Sequence, residues 1–524
     1  MNRILHLLRP LGEAKEFERS FPVLSWIIMR PQMTVLAAVC AGISLWPLSP
    51  VVALAPLCIS TAFVAFFLER RLIDRMLFPP FTAVTCWAAL GVGIGIPIMD
   101  WQVPNALRMT IYGVADWHPS LRTIQFVFLA SFPLTWIGYY YGGFRMVPRL
   151  TGDSLFGGMR PNLRREIDVM GWVLLLISAG MVLIRIGVGL EDKGQFNAAL
   201  HEPDALQTCV RLLFAIAPKW GMLGFVFVPR LWAKKRAGRT VVAILVGAYF
   251  CAALVTGSRG YLLYPCCFML AGYYFFRSSS TWKTEMVLAS LAAAGFVVVF
   301  AVYVYRQSDE YNRSRASDVS ARYRAFGSSV IHWDSSKWRP ETVFDFGYSF
   351  LGVEDALVFA KTPVPVAHAG FSGFGAIPLT WIPTTLARNK PRLLDAEAII
   401  LTYGTPPTQV VGMSISLTAD AYRRFGWAGI PLVVLAAYGI YGALVRWMLT
   451  WWRRGTLWGW VLLLFTLTFF WSRPFGTVLG TWWTFFYDTP KQLLATAVLC
   501  LLVSKYLDFT WSRNRARYDD RESV

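Results

Sequence analysis

Long apolar runs, separated by short polar and basic stretches, govern the chain from about residue 31 to residue 508. A run of about 17–25 apolar residues is the length of helix that crosses the hydrocarbon of a bilayer. The pattern predicts twelve such spans, at 31–49, 51–68, 81–99, 123–141, 169–188, 209–229, 240–257, 260–276, 286–305, 426–447, 456–472 and 490–508. The expected fold class is therefore all-α, a polytopic integral membrane helical bundle. One connection is very short: Val241–Val255 and Tyr261–Phe276 are joined only by Thr256-Gly257-Ser258-Arg259-Gly260. Another is very long, the 120 residues Arg306–Phe425 between the ninth and tenth spans.

Composition agrees with the pattern. The chain is 56% hydrophobic and 15% charged, with a mean hydropathy of +0.46, too little polar residue for a soluble surface. The net charge of +19 could point to nucleic acid, but its distribution points elsewhere. Basic residues gather in the loops 69–80, 142–168, 231–239 and 277–283, at Arg453-Arg454, and in the tail from Arg513. With twelve spans these all fall on one side, the cytoplasmic side by the positive-inside rule. Both termini are then cytoplasmic (1–30 and 509–524), and the long loop 306–425 lies outside. The first thirty residues lack the apolar core and cleavage site of a secretory signal, so they are expected to be retained. The eight cysteines lie in or beside apolar runs without metal-ligand spacing, and read as free buried thiols.

The long loop differs from the inner ones. It holds thirteen Lys/Arg and eleven Asp/Glu, a near-neutral mixture. It also contains two weaker apolar stretches, Phe344–Ala360 and Phe371–Leu386, expected as interfacial or re-entrant helices because Glu354, Asp355, Pro378 and Pro383 interrupt them. Loops of this length inside a bundle are commonly functional.

Five arginines are expected on the outer face: Arg185, Arg211, Arg259, Arg306 and Arg473. A guanidinium near hydrocarbon costs roughly 2.5–3.5 kcal/mol. Each one alone either snorkels to the headgroups or meets an anion, for which its fork geometry suits phosphate oxygens. Five on the side that the charge rule disfavours are better explained by a shared anion, such as a lipid diphosphate. Lys219 sits nearer mid-membrane, with a carboxylate as its expected partner. Acid–base candidates are His332, His368, Glu354, Asp355 and Asp420, each of which also reads as an ordinary loop residue. No metal-binding motif and no Walker-type phosphate loop is present.

Two further segments complete the pattern. Ile382-Pro383-Thr384-Thr385-Leu386-Ala387-Arg388-Asn389-Lys390-Pro391 is followed, after Ser414–Ser416, by Ala421-Tyr422-Arg423-Arg424-Phe425-Gly426-Trp427-Ala428-Gly429. In that order, after the Gly257-Ser258-Arg259-Gly260 turn, they resemble the Wzy-type polymerases of O-antigen and exopolysaccharide repeat units. The resemblance covers roughly residues 245–447. Thr384 and Ala387 depart from that family, which often carries an arginine and a tryptophan there. The resemblance implies a GT-C-like bundle with a catalytic outer loop, in the bacterial inner membrane. It implies transfer of a growing glycan from undecaprenyl pyrophosphate to an incoming lipid-linked repeat, with no metal and no cofactor. On that reading Arg259, His332, His368 and Asp420 are catalytic. Arg185, Arg211, Ser258, Arg306, Arg388, Arg424 and Arg473 hold diphosphate or glycan. The partners are undecaprenyl-pyrophosphate-linked glycans, membrane lipids and a chain-length regulator protein. O-antigen ligase keeps the same donor and architecture. A flippase for the same lipid is the alternative of a different class, disfavoured by the lack of repeat symmetry.

The topology predicts that a cysteine placed at Ser335 is labelled by an impermeant reagent from outside the membrane. Labelling of that position from the cytoplasmic side alone would overturn the twelve-span arrangement.

Overall fold

The structure is a computed structural model that describes residues 22–74, 76–102, 114, 116–147, 150, 161–187, 220–233, 236–255, 259–276, 286, 290, 293–295, 297, 319–331, 353–381, 402–403, 415–469 and 476–522. Among the described residues the regular elements are all helical, with no strand. In chain order the helices used below are α1 (Pro31–Leu45), α2 (Pro50–Leu68) and α3 (Pro80–Leu90), which runs through a π turn at Gly91–Gly95 into α4 (Ile96–Gln102). There follow α5 (His118–Gly142), α6 (Pro161–Gly187), α7 (Trp220–Trp232), α8 (Arg236–Val255) and α9 (Arg259–Phe276). The last are α10 (Val353–Lys361), α11 (Leu417–Trp451), α12 (Leu457–Phe469), α13 (Val478–Trp483) and α14 (Thr489–Glu522). Several of them open on proline, whose missing N–H is one that a helix start leaves unbonded anyway.

Seven helical stretches among the described residues are long and apolar enough to cross a membrane: Pro50–Leu68, Pro80–Asp100, His118–Gly142, Asn162–Ile184, Arg236–Leu254, Leu417–Arg454 and Val478–Asp508. Each overlaps one of the expected spans. Shorter apolar helices occupy Pro31–Leu45, Leu262–Phe276 and Leu457–Thr466, inside three more, and Leu223–Trp232, which runs past the expected end of its span at 229. Large apolar side chains face outward from these helices, Ile43 at 69%, Leu432 at 70% and Leu494 at 69% exposure. Such a surface suits lipid and not water, so this is a membrane-embedded helical protein.

Close packing of α5 against α11 sets the register of the bundle. A Cβ added to Gly142 would stand 2.1 Å from the Gly439 carbonyl oxygen, and one on Gly442 would stand 2.1 Å from that of Tyr139. Gly138 meets Leu435 in the same way, at 2.8 Å. Backbones in this contact leave no room for any side chain, the small-residue packing that holds helices together where lipid removes the hydrophobic drive. Gly138 lies against Leu435 and Gly143 against Gly442, and the starts of both helices share one core while their later turns share another, so α5 and α11 run parallel. Their first turns, near His118 and Leu417, therefore lie at one end of the molecule. There they share an apolar core that includes Trp117, Leu121, Leu357, Tyr403, Leu417 and Tyr422. A larger core gathers around Tyr139, Tyr441, Phe225, Tyr249 and Trp460, and a small third one around Ile28, Phe67, Ile73 and Tyr274.

Several sequence expectations change in detail. Span ten was expected from residue 426, but its helix begins nine residues earlier, at Leu417, and breaks at Gly426 (φ 67, ψ −160). Of the two weak apolar stretches, residues 353–361 do form a helix. Residues 371–381 instead make turns and short 3-10 segments at Phe374–Ala376 and Pro378–Trp381, because Pro378 and the closely spaced glycines disfavour a continued helix. The cysteines among the described residues are free thiols.

Glu69, just past the end of α2, is fully buried and joins three helices. Its Oε1 accepts the Tyr139 hydroxyl of α5 at 2.6 Å, and its Oε2 accepts the Thr82 N–H of α3 at 2.7 Å. Burial pushes its carboxyl up to about 7, against the opposing pull of these donors. Between the ordinary value of 4.5 and about 7 the folded state holds a proton that the unfolded state has lost. The contribution of Glu69 to stability is therefore complete at acid pH, declines as pH rises through that window, and is flat above it. The melting temperature of wild type minus that of Glu69→Gln, measured in detergent, is expected to fall between pH 5 and 7.5. A difference that stays constant or rises would contradict this.

Candidate functional site at the start of helix α11

The first turn of α11 is capped from both sides. Ser416 Oγ accepts the Ala419 N–H at 3.2 Å, and the Ser416 N–H donates to Asp355 Oδ1 of α10 at 2.8 Å. One turn on lies Asp420, fully buried. Spacings of three and four residues bring Arg423 and Arg424 over it on the same helix face. Asp420 Oδ1 accepts Arg423 Nε at 2.7 Å, with Arg423 Nη2 at 2.6 Å. Oδ2 accepts Arg424 Nε at 3.1 Å and the Val478 N–H of α13 at 2.7 Å. Both guanidinium residues are themselves buried, so this group carries one more positive than negative charge out of water.

Arg424 uses its other arm to hold a loop. Its Nη1 donates to the carbonyl oxygens of Gly370 at 3.1 Å and Ser372 at 2.7 Å, and the guanidinium lies 5.4 Å from the Phe374 ring centre. The loop answers through its backbone: Ala369 N–H donates to the Arg423 carbonyl and Gly370 N–H to that of Arg424, both at 3.0 Å. The segment from His368 to Phe374 is thus stitched to α11. Further back, the Tyr422 hydroxyl donates to the Thr362 carbonyl at 3.1 Å, Thr362 and Tyr403 share a hydroxyl bond, and Lys361 Nζ donates to the Tyr403 carbonyl at 3.1 Å. Burial pushes the Tyr403 phenol up, so it stays a neutral hydroxyl.

His368 stands exposed on this support. Its Nδ1 lies 3.3 Å from the Arg423 carbonyl oxygen. A carbonyl only accepts, so this bond puts the ring proton on Nδ1 and leaves a lone pair on Nε2. That nitrogen looks toward the break at Gly426, where an added Cβ would stand 3.5 Å from it. Aromatic rings border the same place: Tyr422 packs on Phe359 and Trp427 at 4.9 and 4.7 Å, and Phe371 packs on Phe425 at 5.1 Å. The His368 ring meets Tyr422 edge-on at 5.8 Å, and Trp427 and Phe371, 59% and 75% exposed, add flat apolar faces beside an imidazole fit for proton transfer.

The structure brings together three of the residues singled out from sequence: His368, Asp420 and Arg424. It also changes two of their roles. Asp420 was expected as a base, but both its oxygens are filled and it has no exposure; its work is to align the two arginines. Arg424 was expected to hold substrate, but at 2% exposure it anchors the loop. Asp355 is likewise a buried partner of the helix cap. Arg259 opens α9 and Arg185 lies near the end of α6, but their side chains are outside the description, as is that of Glu354. His332, Arg211, Ser258, Arg306, Arg388, Arg473 and Lys219 lie outside the described residues. Sequence reasoning passed over Arg423, although Asp420-x-x-Arg423-Arg424 has the spacing of a helical ion-pair triad. It also passed over Lys361 and Tyr403, which no local pattern connects. Among the described residues no group of three or more His, Cys, Asp or Glu side chains is placed to hold a metal ion.

No family model matches the chain, and neither a curated protein nor a solved structure does.

Asp420→Asn would remove the carboxylate that both buried guanidiniums share, a loss of about 3–5 kcal/mol in such settings. The expected result is a lower melting temperature in detergent and faster proteolysis within residues 362–374. Unchanged melting and unchanged cleavage would show that the triad does not hold the loop.

Proposed function

We propose that the chain polymerises oligosaccharide repeat units carried on undecaprenyl pyrophosphate, as a Wzy-type enzyme of the bacterial inner membrane. On this reading the bundle has twelve spans and a GT-C-like arrangement, both termini are cytoplasmic, and the start of α11 faces the periplasm. The observation that carries the reading is His368: an exposed imidazole with its Nδ1 bonded to backbone, set between exposed aromatic faces at a break in a membrane helix.

The chemistry follows from that placement. A hydroxyl of the terminal sugar on the incoming lipid-linked repeat gives its proton to His368 Nε2. Its oxygen bonds to the anomeric carbon of the growing glycan. The bond from that carbon to the pyrophosphate oxygen breaks, and undecaprenyl pyrophosphate leaves with the electron pair. Departure of the diphosphate drives the transfer, so this scheme uses neither nucleotide sugar nor metal. Arg259, with Arg211 or Arg306, stabilises the departing charge, a role that removal of single donors elsewhere values at about 3–4 kcal/mol. Trp427 and Phe371 offer flat apolar surface to the pyranose rings. Asp420, Arg423 and Arg424 position the loop that carries the base.

The test is polymerisation by membranes matched for protein level and supplied with lipid-linked repeats. His368→Ala is expected to lower the rate by roughly 10²-fold or more, the usual share of a general base. Arg259→Lys keeps the charge but loses the fork, and a substantial loss is expected there too. Wild-type rates in both variants would remove the proposed site. A deletion strain should keep single repeats on the lipid carrier. Full-length polymer on the carrier would favour a ligase instead, and repeats confined to the inner leaflet would favour a flippase.

A further inference from the structure

A cavity of about 600 Å³ opens between the start of α2 and the start of α5. One side of it is apolar, formed by Leu48, Pro50 and Val52. The other carries a chain of polar contacts. Asp100, on α4, is 7% exposed; its Oδ1 lies 2.6 Å from His118 Nδ1, and its Oδ2 accepts the Ser49 hydroxyl at 2.7 Å. Both carboxylate oxygens are therefore engaged. Ser49 Oγ also accepts the Val51 N–H at 3.1 Å as the cap of α2, so this hydroxyl serves the fold and is no nucleophile. His118 presents an imidazole that is 46% exposed, and its Nε2 is the nitrogen left for a ligand. Arg122, one turn further along α5, lines the same cavity, its Nε 3.4 Å from the His118 carbonyl oxygen.

We infer that this cavity binds the phosphate group of a membrane amphiphile, with Arg122 and the Asp100-held ring of His118 as its ligands. The guanidinium supplies a permanent charge and paired donors for phosphate oxygens. Nε2 takes a proton from a P–OH group or, in the imidazolium form paired with Asp100, donates to a P–O⁻ oxygen. Among the described residues that line the cavity, the Ser49 hydroxyl and both Asp100 oxygens are already bonded, which leaves Arg122 and His118 to meet the ligand. The volume is that of a small-ligand pocket. A lipid source is favoured over free phosphate because the apolar wall continues outward: Leu48, Trp46 and Ile43 are 75%, 57% and 69% exposed along the end of α1, a track for a hydrocarbon chain. This inference is independent of the proposed polymerase activity.

The experiment uses the purified full-length protein in phosphate-free detergent and reads the rise in melting temperature caused by a bound ligand. The probes are short-chain phosphatidic acid, diacylglycerol with the same acyl chains, and inorganic phosphate. Phosphatidic acid is expected to stabilise saturably, diacylglycerol not at all, and inorganic phosphate only at a tenfold or higher concentration. Arg122→Gln and His118→Asn are each expected to raise the half-saturating concentration of phosphatidic acid at least tenfold. Arg122→Gln leaves the Ser49–Asp100–His118 chain intact, so its effect separates lost binding from lost folding. Equal stabilisation by phosphatidic acid and diacylglycerol, or wild-type binding in Arg122→Gln, would overturn the site. Inorganic phosphate as effective as the lipid would overturn the membrane source.

Discussion

Contact between two backbones, at Gly138, Gly142, Gly439 and Gly442, is the constraint on which the architecture rests. In lipid, apolar side chains gain nothing by leaving one hydrocarbon surface for another, so helix association depends on how closely main chains approach. Glycine allows the nearest approach, and it allows only one register. Because α5 and α11 are locked in parallel, the turns that open both helices are carried to the same end of the bundle. Both polar sites described above lie there, over one shared apolar core. The deeper tie at Glu69 closes the far side of the same helices, where α2, α3 and α5 meet around a single carboxyl group.

The ion-pair group at Asp420 shows how a membrane protein can hold an irregular loop without a sheet or a disulfide. Beyond its own turns, the loop finds acceptors in the carbonyls of α11 and donors in one arm of Arg424. Removing two guanidiniums from water is costly, and the carboxylate offsets that cost only because its remaining lone pair meets the Val478 N–H. Three elements distant in sequence, the loop, α11 and α13, therefore depend on one side chain. The result is an exposed histidine with a defined ring orientation, on a support that is itself dry.

Much of the architecture was legible in the chain, since the length of an apolar run is set by the thickness of hydrocarbon. Runs such as 51–68 and 81–99 were placed nearly where their helices stand. The start of α11 was not, because Asp420, Arg423 and Arg424 look like loop residues until one sees that both guanidiniums share the one carboxylate. Hydropathy counts charges singly and cannot register a pair. His368 was legible as a residue type but not as a placed one: its ring is oriented by the Arg423 carbonyl, 55 residues away. The Asp100–His118 contact left no trace in the sequence, for two residues 18 positions apart fall into no short periodicity that would bring them together. Burial reassigned what chemistry alone had suggested, turning Asp420 from a base into a brace.

The break at Gly426 also governs angular phase. In an unbroken helix the direction in which Asp420, Arg423 and Arg424 point would be inherited, at a fixed rotation per residue, from the glycine seam below. The combination of φ 67 and ψ −160 belongs to a region that only glycine occupies readily, and it resets that rotation. The charged turn can then be aimed at the loop independently of the seam that faces α5. A single residue without a side chain lets one length of chain obey two azimuths, one set by lipid and one by charge.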